Sequence, residues 1–191
     1  MSLIRFAWKY ICDRQPLLVR CLHLVILCLV LSQIVVSNFM GFGPHGQVSQ
    51  RPLIHLGTWT HIVTGISLLP IALGFILIEL NRHGFTYFFP YLYGEFSQIK
   101  ADLRLLMRLD LPDPAPYGLA VVVQGLGMGA LSIVLLSGLT WFLSWRYAAP
   151  WTHGVRELHQ SLTGLIEAYI IGHGAMGIVH IFFQWKQSKA T

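Results

Sequence analysis

Charge is scarce in this sequence. Asp, Glu, Lys and Arg make up 11% of its 191 residues, against about a quarter in ordinary soluble domains. That shortage argues against a water-soluble globular fold. Cysteine is nearly absent as well: Cys12, Cys21 and Cys28 are the whole set. An odd number near the first apolar run, on the reducing side of a membrane, excludes a structural disulfide framework. Each is expected to act as a small buried apolar residue, and Cys21 is the one placed near enough to His23 to join a metal site. No internal repeat or low-complexity tract occurs, so the chain reads as a single domain over 1–191.

Apolar residues are plentiful, at 54% of the chain with a mean hydropathy of +0.60. Four stretches, 21–41, 53–78, 117–145 and 158–185, are almost free of charge. Each exceeds the roughly 20 residues a helix needs to cross the hydrocarbon core. The expected architecture is an all-α membrane protein, a four-transmembrane-helix bundle with spans of about 17–41, 53–80, 117–145 and 155–185. The run from Cys21 to Val36 is slightly long for a signal peptide and is followed by no clean cleavage site, so it reads as the first span.

Basic residues set the expected orientation. Arg5, Lys9, Arg14, Arg20, Arg82, Lys100, Arg104, Arg108, Lys186 and Lys189 fall on one side, and Arg51, Arg146 and Arg156 on the other. The positive-inside rule puts both termini in the cytoplasm. The net charge of +5 is therefore a topology signal, and no nucleic acid partner is expected. The Gly- and Pro-rich segment from Phe39 to Pro52 reads as a periplasmic turn. Between spans two and three, Phe96, Ile99, Leu103, Leu106 and Met107 recur at helical spacing with Lys100, Arg104 and Arg108 between them. That pattern predicts an amphipathic helix on the cytoplasmic surface, either a plain anchor or a docking surface for a partner.

Nine histidines are many for so apolar a chain. An ionisable side chain within a span is costly and points to function. His23 falls in the first turn of span one, His61 about two turns into span two, and His159 and His173 in span four. Fourteen residues separate the last two, about 21 Å along a helix and within about 40° of the same face. His159 and His61 thus share one leaflet, and His173 and His23 the other. Paired imidazoles across a bundle core suit a flat iron macrocycle held from both sides, which favours electron transfer over oxygen binding. A single zinc site fits poorly, because the two pairs lie at opposite faces. Without a C-x-x-C-H motif, covalent haem attachment is not indicated.

Glycines accompany the histidines: Gly57 and Gly65 beside His61, Gly177 after His173, and Gly125, Gly127, Gly129 and Gly138 in span three. They would let a porphyrin approach the backbone, or simply let helices approach one another. His45, His55 and His153 are expected at one membrane surface and His83 in a loop at the other. His180 shares the face of His173 and is placed for a propionate, a quinone or an interfacial hydrogen bond. Glu167, near mid-depth, is turned away from the histidine stripe. It fits a helix or subunit contact, or proton handling.

With these residues in view, the chain resembles the bacterial cytochrome b561 family and is similar to the cytochrome b subunits of hydrogenases, formate dehydrogenases and thiosulfate reductases. The likeness covers all four spans through RCLHLVI, THIVTGIS, LLSGLTWFL and ELHQSLTGLIEAYIIGHGAMGIVH. It implies two haem b groups, His61 with His159 and His23 with His173 on the irons. It also implies electron exchange between a quinone pool (ubiquinone or menaquinone) and a periplasmic or membrane redox protein. The long 81–116 connection looks closer to subunits of larger complexes, and a homodimer is the other assembly considered. The alternative activity is a stand-alone superoxide:quinone oxidoreductase, with Arg51, Arg146 and Arg156 steering the anion.

Overall fold

A computed structural model describes residues 1–43 and 46–190, so His45 lies outside the described residues. The chain is all-α, and its only β pairing among those residues is an isolated bridge between Phe42 and Val48. The helices are α1 (Leu3–Arg14), α2 (Leu17–Ser37), α3 (Pro52–His83), the single turn α4 (Phe85–Phe88), α5 (Ser97–Met107), α6 (Leu119–Arg146) and α7 (Thr152–Ala190). Among the described residues α2, α3, α6 and α7 are long and apolar enough to cross a membrane. The chain clusters into two compact units. Unit I comprises Met1–Leu17, Leu77–Ala130 and Leu165–Thr191, and unit II comprises Leu18–Ile76 and Leu131–Gly164.

Unit II is built on α2, most of α3 and the adjoining parts of α6 and α7. Thr58, wholly buried, donates to the Ile54 carbonyl at 2.8 Å and accepts from the Gly41 amide at 3.2 Å. It thereby ties the 38–51 loop down to α3. Gly57 makes room for that loop, since a Cβ there would sit 2.7 Å from the Phe39 carbonyl oxygen. Gln33 of α2 donates to the Thr64 hydroxyl of α3, and Gly65 lets the two helices meet there. The loop tip is held by aromatic contacts. Trp145 donates its indole N–H to the Gly46 carbonyl at 2.7 Å and stacks on Trp141, while Phe42 packs edge-on against both rings.

Unit I begins with α1, an amphipathic helix for which the charge-free runs had given no signal. It stops at Gln15, forced into an extended conformation by the following Pro16. Helix α5 appears where the amphipathic pattern predicts it, but its packing contact is polar. Asp102, 2% exposed, accepts from the Leu119 amide at 2.7 Å and from Gln98 at 2.8 Å. The carboxylate so caps the first turn of α6, where orphan N–H groups and the helix dipole favour an anion. The apolar stripe of α5, including Phe96, Leu103 and Met107, stays exposed. Gly125 of α6 lies against the Phe88 carbonyl, where a Cβ would sit at 2.7 Å.

Three expectations need adjustment. Cys21 and Cys28 are exposed on the protein surface rather than buried, because they lie on the outer side of α2. His83 belongs to the end of α3 rather than to a loop. There Glu79 accepts from Arg82 at 2.7 Å and lies 3.9 Å from His83, whose ring stacks on Tyr87. Helix α7 runs past 185 because Lys186 and Lys189 lie over the Phe182 and Trp185 rings, keeping their stems against apolar surface.

Candidate haem site

Within unit II the structure brings the rings of His61 of α3 and His159 of α7 together, edge toward face. Their ring centroids are 6.4 Å apart and their planes are 75° apart. Both side chains are partly buried. The Nδ1 of His159 lies 2.9 Å from the Ser137 hydroxyl of α6, so one ring nitrogen is occupied and Nε2 is left for a ligand. The Nδ1 of His61 is buried and has no hydrogen-bond partner. Native folds seldom leave such an atom uncompensated unless a non-protein group completes the site.

These residues fit a bis-histidine haem. Metal-bound imidazole nitrogens sit about 2 Å from the metal, with the ring centre about 1 Å beyond, so two axial rings have centroids about 6 Å apart. The observed separation agrees. Gly138 completes the cradle, because a Cβ there would lie 2.9 Å from Cε1 of His159. Of the glycines expected to admit a porphyrin, Gly138 is the one that touches a histidine ring; Gly57, Gly65 and Gly125 instead admit a loop, a helix and a backbone carbonyl. Among the described residues no three His, Cys, Asp or Glu side chains converge as a site built from protein ligands alone would require.

The other two candidate ligands stand in different units. His23 of unit II has the Phe75 ring at 6.1 Å. His173 of unit I stacks on Tyr169, with centroids 5.0 Å apart and planes within 11°. Tyr169 is itself seated on Gly127, where a Cβ would lie 2.1 Å from its ring. His180, one helical face along from His173, has its ring 6.1 Å from Tyr10, and both His180 Nε2 and the Tyr10 hydroxyl are buried without hydrogen-bond partners. Burial raises the Tyr10 pKa above its ordinary value, with Arg14 pulling the other way, so the phenol remains a proton-bearing donor. Glu167 is exposed on the outside of α7, and His55 and His153 are exposed as well.

Ser137 and Tyr169 escaped the sequence reading. Both lie in spans and are chemically ordinary. The one available signal was proximity, since Ser137 adjoins Gly138 and Tyr169 precedes His173 by one helical turn.

Membrane-length helices carrying an imidazole pair beside Gly138 fit a membrane haem protein. The family model for prokaryotic cytochrome b561 matches residues 14–189, and the chain belongs to that family. Neither the comparison with curated proteins nor that with solved structures returned a match. Membership makes the chain a multi-pass membrane haem b protein of electron transfer.

Proposed function

We propose that the chain is a dihaem conduit in the bacterial inner membrane, with both termini cytoplasmic. It carries electrons between a quinone, ubiquinone or menaquinone, and a periplasmic or membrane redox protein. His61 and His159 hold one haem b, and His23 and His173 hold the other. The observation that carries this reading is the His61–His159 pair, facing at axial-ligand separation beside Gly138. The fourteen-residue interval on continuous α7 supports the second site, because it repeats the ligand on about the same face some 21 Å further along.

The haem supplies one-electron chemistry when bound; the protein's part is to hold, insulate and tune it. Helices α3 and α7 carry the His61 and His159 rings, and α6 fixes the His159 ring through Ser137 and Gly138. At the end of α7 within unit I, the Trp185 indole donates to the Met1 carbonyl ahead of α1 at 3.1 Å, and Gln184 donates to Asp113 of the α5–α6 connection at 3.1 Å. The exposed apolar stripe of α5 offers a surface to lipid or to a partner subunit.

The test is haem content and redox titration of the purified chain. Two reducible b-type haems per chain are expected, with oxidation of the reduced protein by added quinone. One haem, or none, overturns the dihaem reading. Fast reduction by superoxide with steep ionic-strength dependence would favour the stand-alone oxidoreductase instead.

A further inference from the structure

We propose that Ser137 is a positioning residue that sets the tautomer and donor strength of His159, and through them the potential of one haem and not the other. The inference rests on His159 being an axial ligand, as read above.

The argument is one of proton counting. The Ser137 hydroxyl carries a single proton, and it is directed to the Val134 carbonyl at 2.8 Å within α6. Its oxygen, 2.9 Å from Nδ1 of His159, can then only accept. Nδ1 therefore bears the hydrogen, and the lone pair of the neutral ring lies on Nε2, the form a metal requires. Ser137 is 9% exposed, so water does not readily take its place. Gly138, next in sequence, lets the ring edge lie against the α6 backbone, where a Cβ would come within 2.9 Å of Cε1. One residue thus orients the ring by a hydrogen bond and its neighbour by making room.

The partner imidazole is held differently: no side-chain hydroxyl meets Nδ1 of His61, whose polar neighbour is the Gln33 backbone of α2. His159 is the ring braced by a side chain from a third helix. An acceptor on the distal N–H raises the basicity of a ligating imidazole. A more basic ligand favours ferric over ferrous iron. Losing the acceptor shifts the equilibrium toward ferrous by about threefold, or about 30 mV at 59 mV per tenfold for one electron.

The experiment uses the full-length protein in detergent or nanodiscs, with haem content, potentiometric titration and low-temperature EPR of the ferric state. Ser137→Ala is expected to keep two haems, raise one potential and move one low-spin EPR signal. Ser137→Thr, which keeps both hydrogen bonds, is expected to restore the wild-type values. Should Ser137→Ala lose a haem, Ser137→Cys, a weaker acceptor of similar size, is expected to keep it with a smaller upward shift. Unchanged potentials in the alanine or cysteine variant, or equal shifts in alanine and threonine, overturn the proposal. His159→Ala separates this from the parent reading: full haem retention there refutes ligation itself, whatever Ser137 does.

Discussion

In unit II two imidazoles face each other, and the ring of His159 is fixed by a hydroxyl from a neighbouring helix. In unit I, by contrast, His173 lies flat on Tyr169, a residue of its own helix, and Tyr169 rests on Gly127 of α6. One histidine is controlled through its distal nitrogen and the other through its face. The two controls have different consequences. A hydrogen bond to Nδ1 changes both ring orientation and donor strength, whereas stacking fixes orientation and excludes water with less effect on basicity. On the proposed dihaem reading, that difference gives the two haems different potentials, as a directional conduit needs.

The largest effects should come from the ligands. His61→Ala and His159→Ala are expected to remove one and the same haem, and His23→Ala and His173→Ala the other, as read by pyridine haemochrome content per chain. Mixed losses would break the comparison between the sites. Next come the two glycines that seat the rings. Gly138→Leu should displace His159 and deplete its haem, while Gly127→Leu should push Tyr169 into His173 and perturb the other. Difference spectra at graded potentials tell the two apart.

A smaller, non-selective effect is expected at Asp102. Replacing it with Ala leaves the α6 N-terminus uncapped in a buried place, costing about 1–3 kcal/mol. The expected outcome is a lower thermal midpoint with both haem spectra intact, and selective haem loss would show that α5 contributes to one site. The smallest effect is expected from Tyr169→Leu. It should retain both haems and alter the EPR line shape of one, leaving the signal of the His61–His159 haem unmoved.

Much of this arrangement is legible in the sequence because lipid permits so few solutions. Four nearly charge-free runs must be helices, and the observed boundaries of α2, α3, α6 and α7 depart from the expected spans by only a few residues. The departures have local causes: α3 continues through His83 because Glu79, Arg82 and His83 interact along one face. The 14-residue histidine interval falls within one continuous helix, α7. What stayed hidden depends on which residue of one helix meets which of another. Span-buried serines commonly bond back to their own helix, as Ser144 does to Trp141. Ser137 does the same and meets His159 besides, a contact that no pattern within α6 announces. Gly57 was read beside a haem ligand, yet its space is taken by the Phe39 carbonyl because the 38–51 loop folds back over α3.

The most direct test of the central claim is the haem stoichiometry of purified, folded His159→Ala. One b-type haem per chain, with its wild-type potential, is the result predicted. Two haems retained, or none in a protein that stays helical and monodisperse, would contradict the assignment of His61 and His159 to a site of their own.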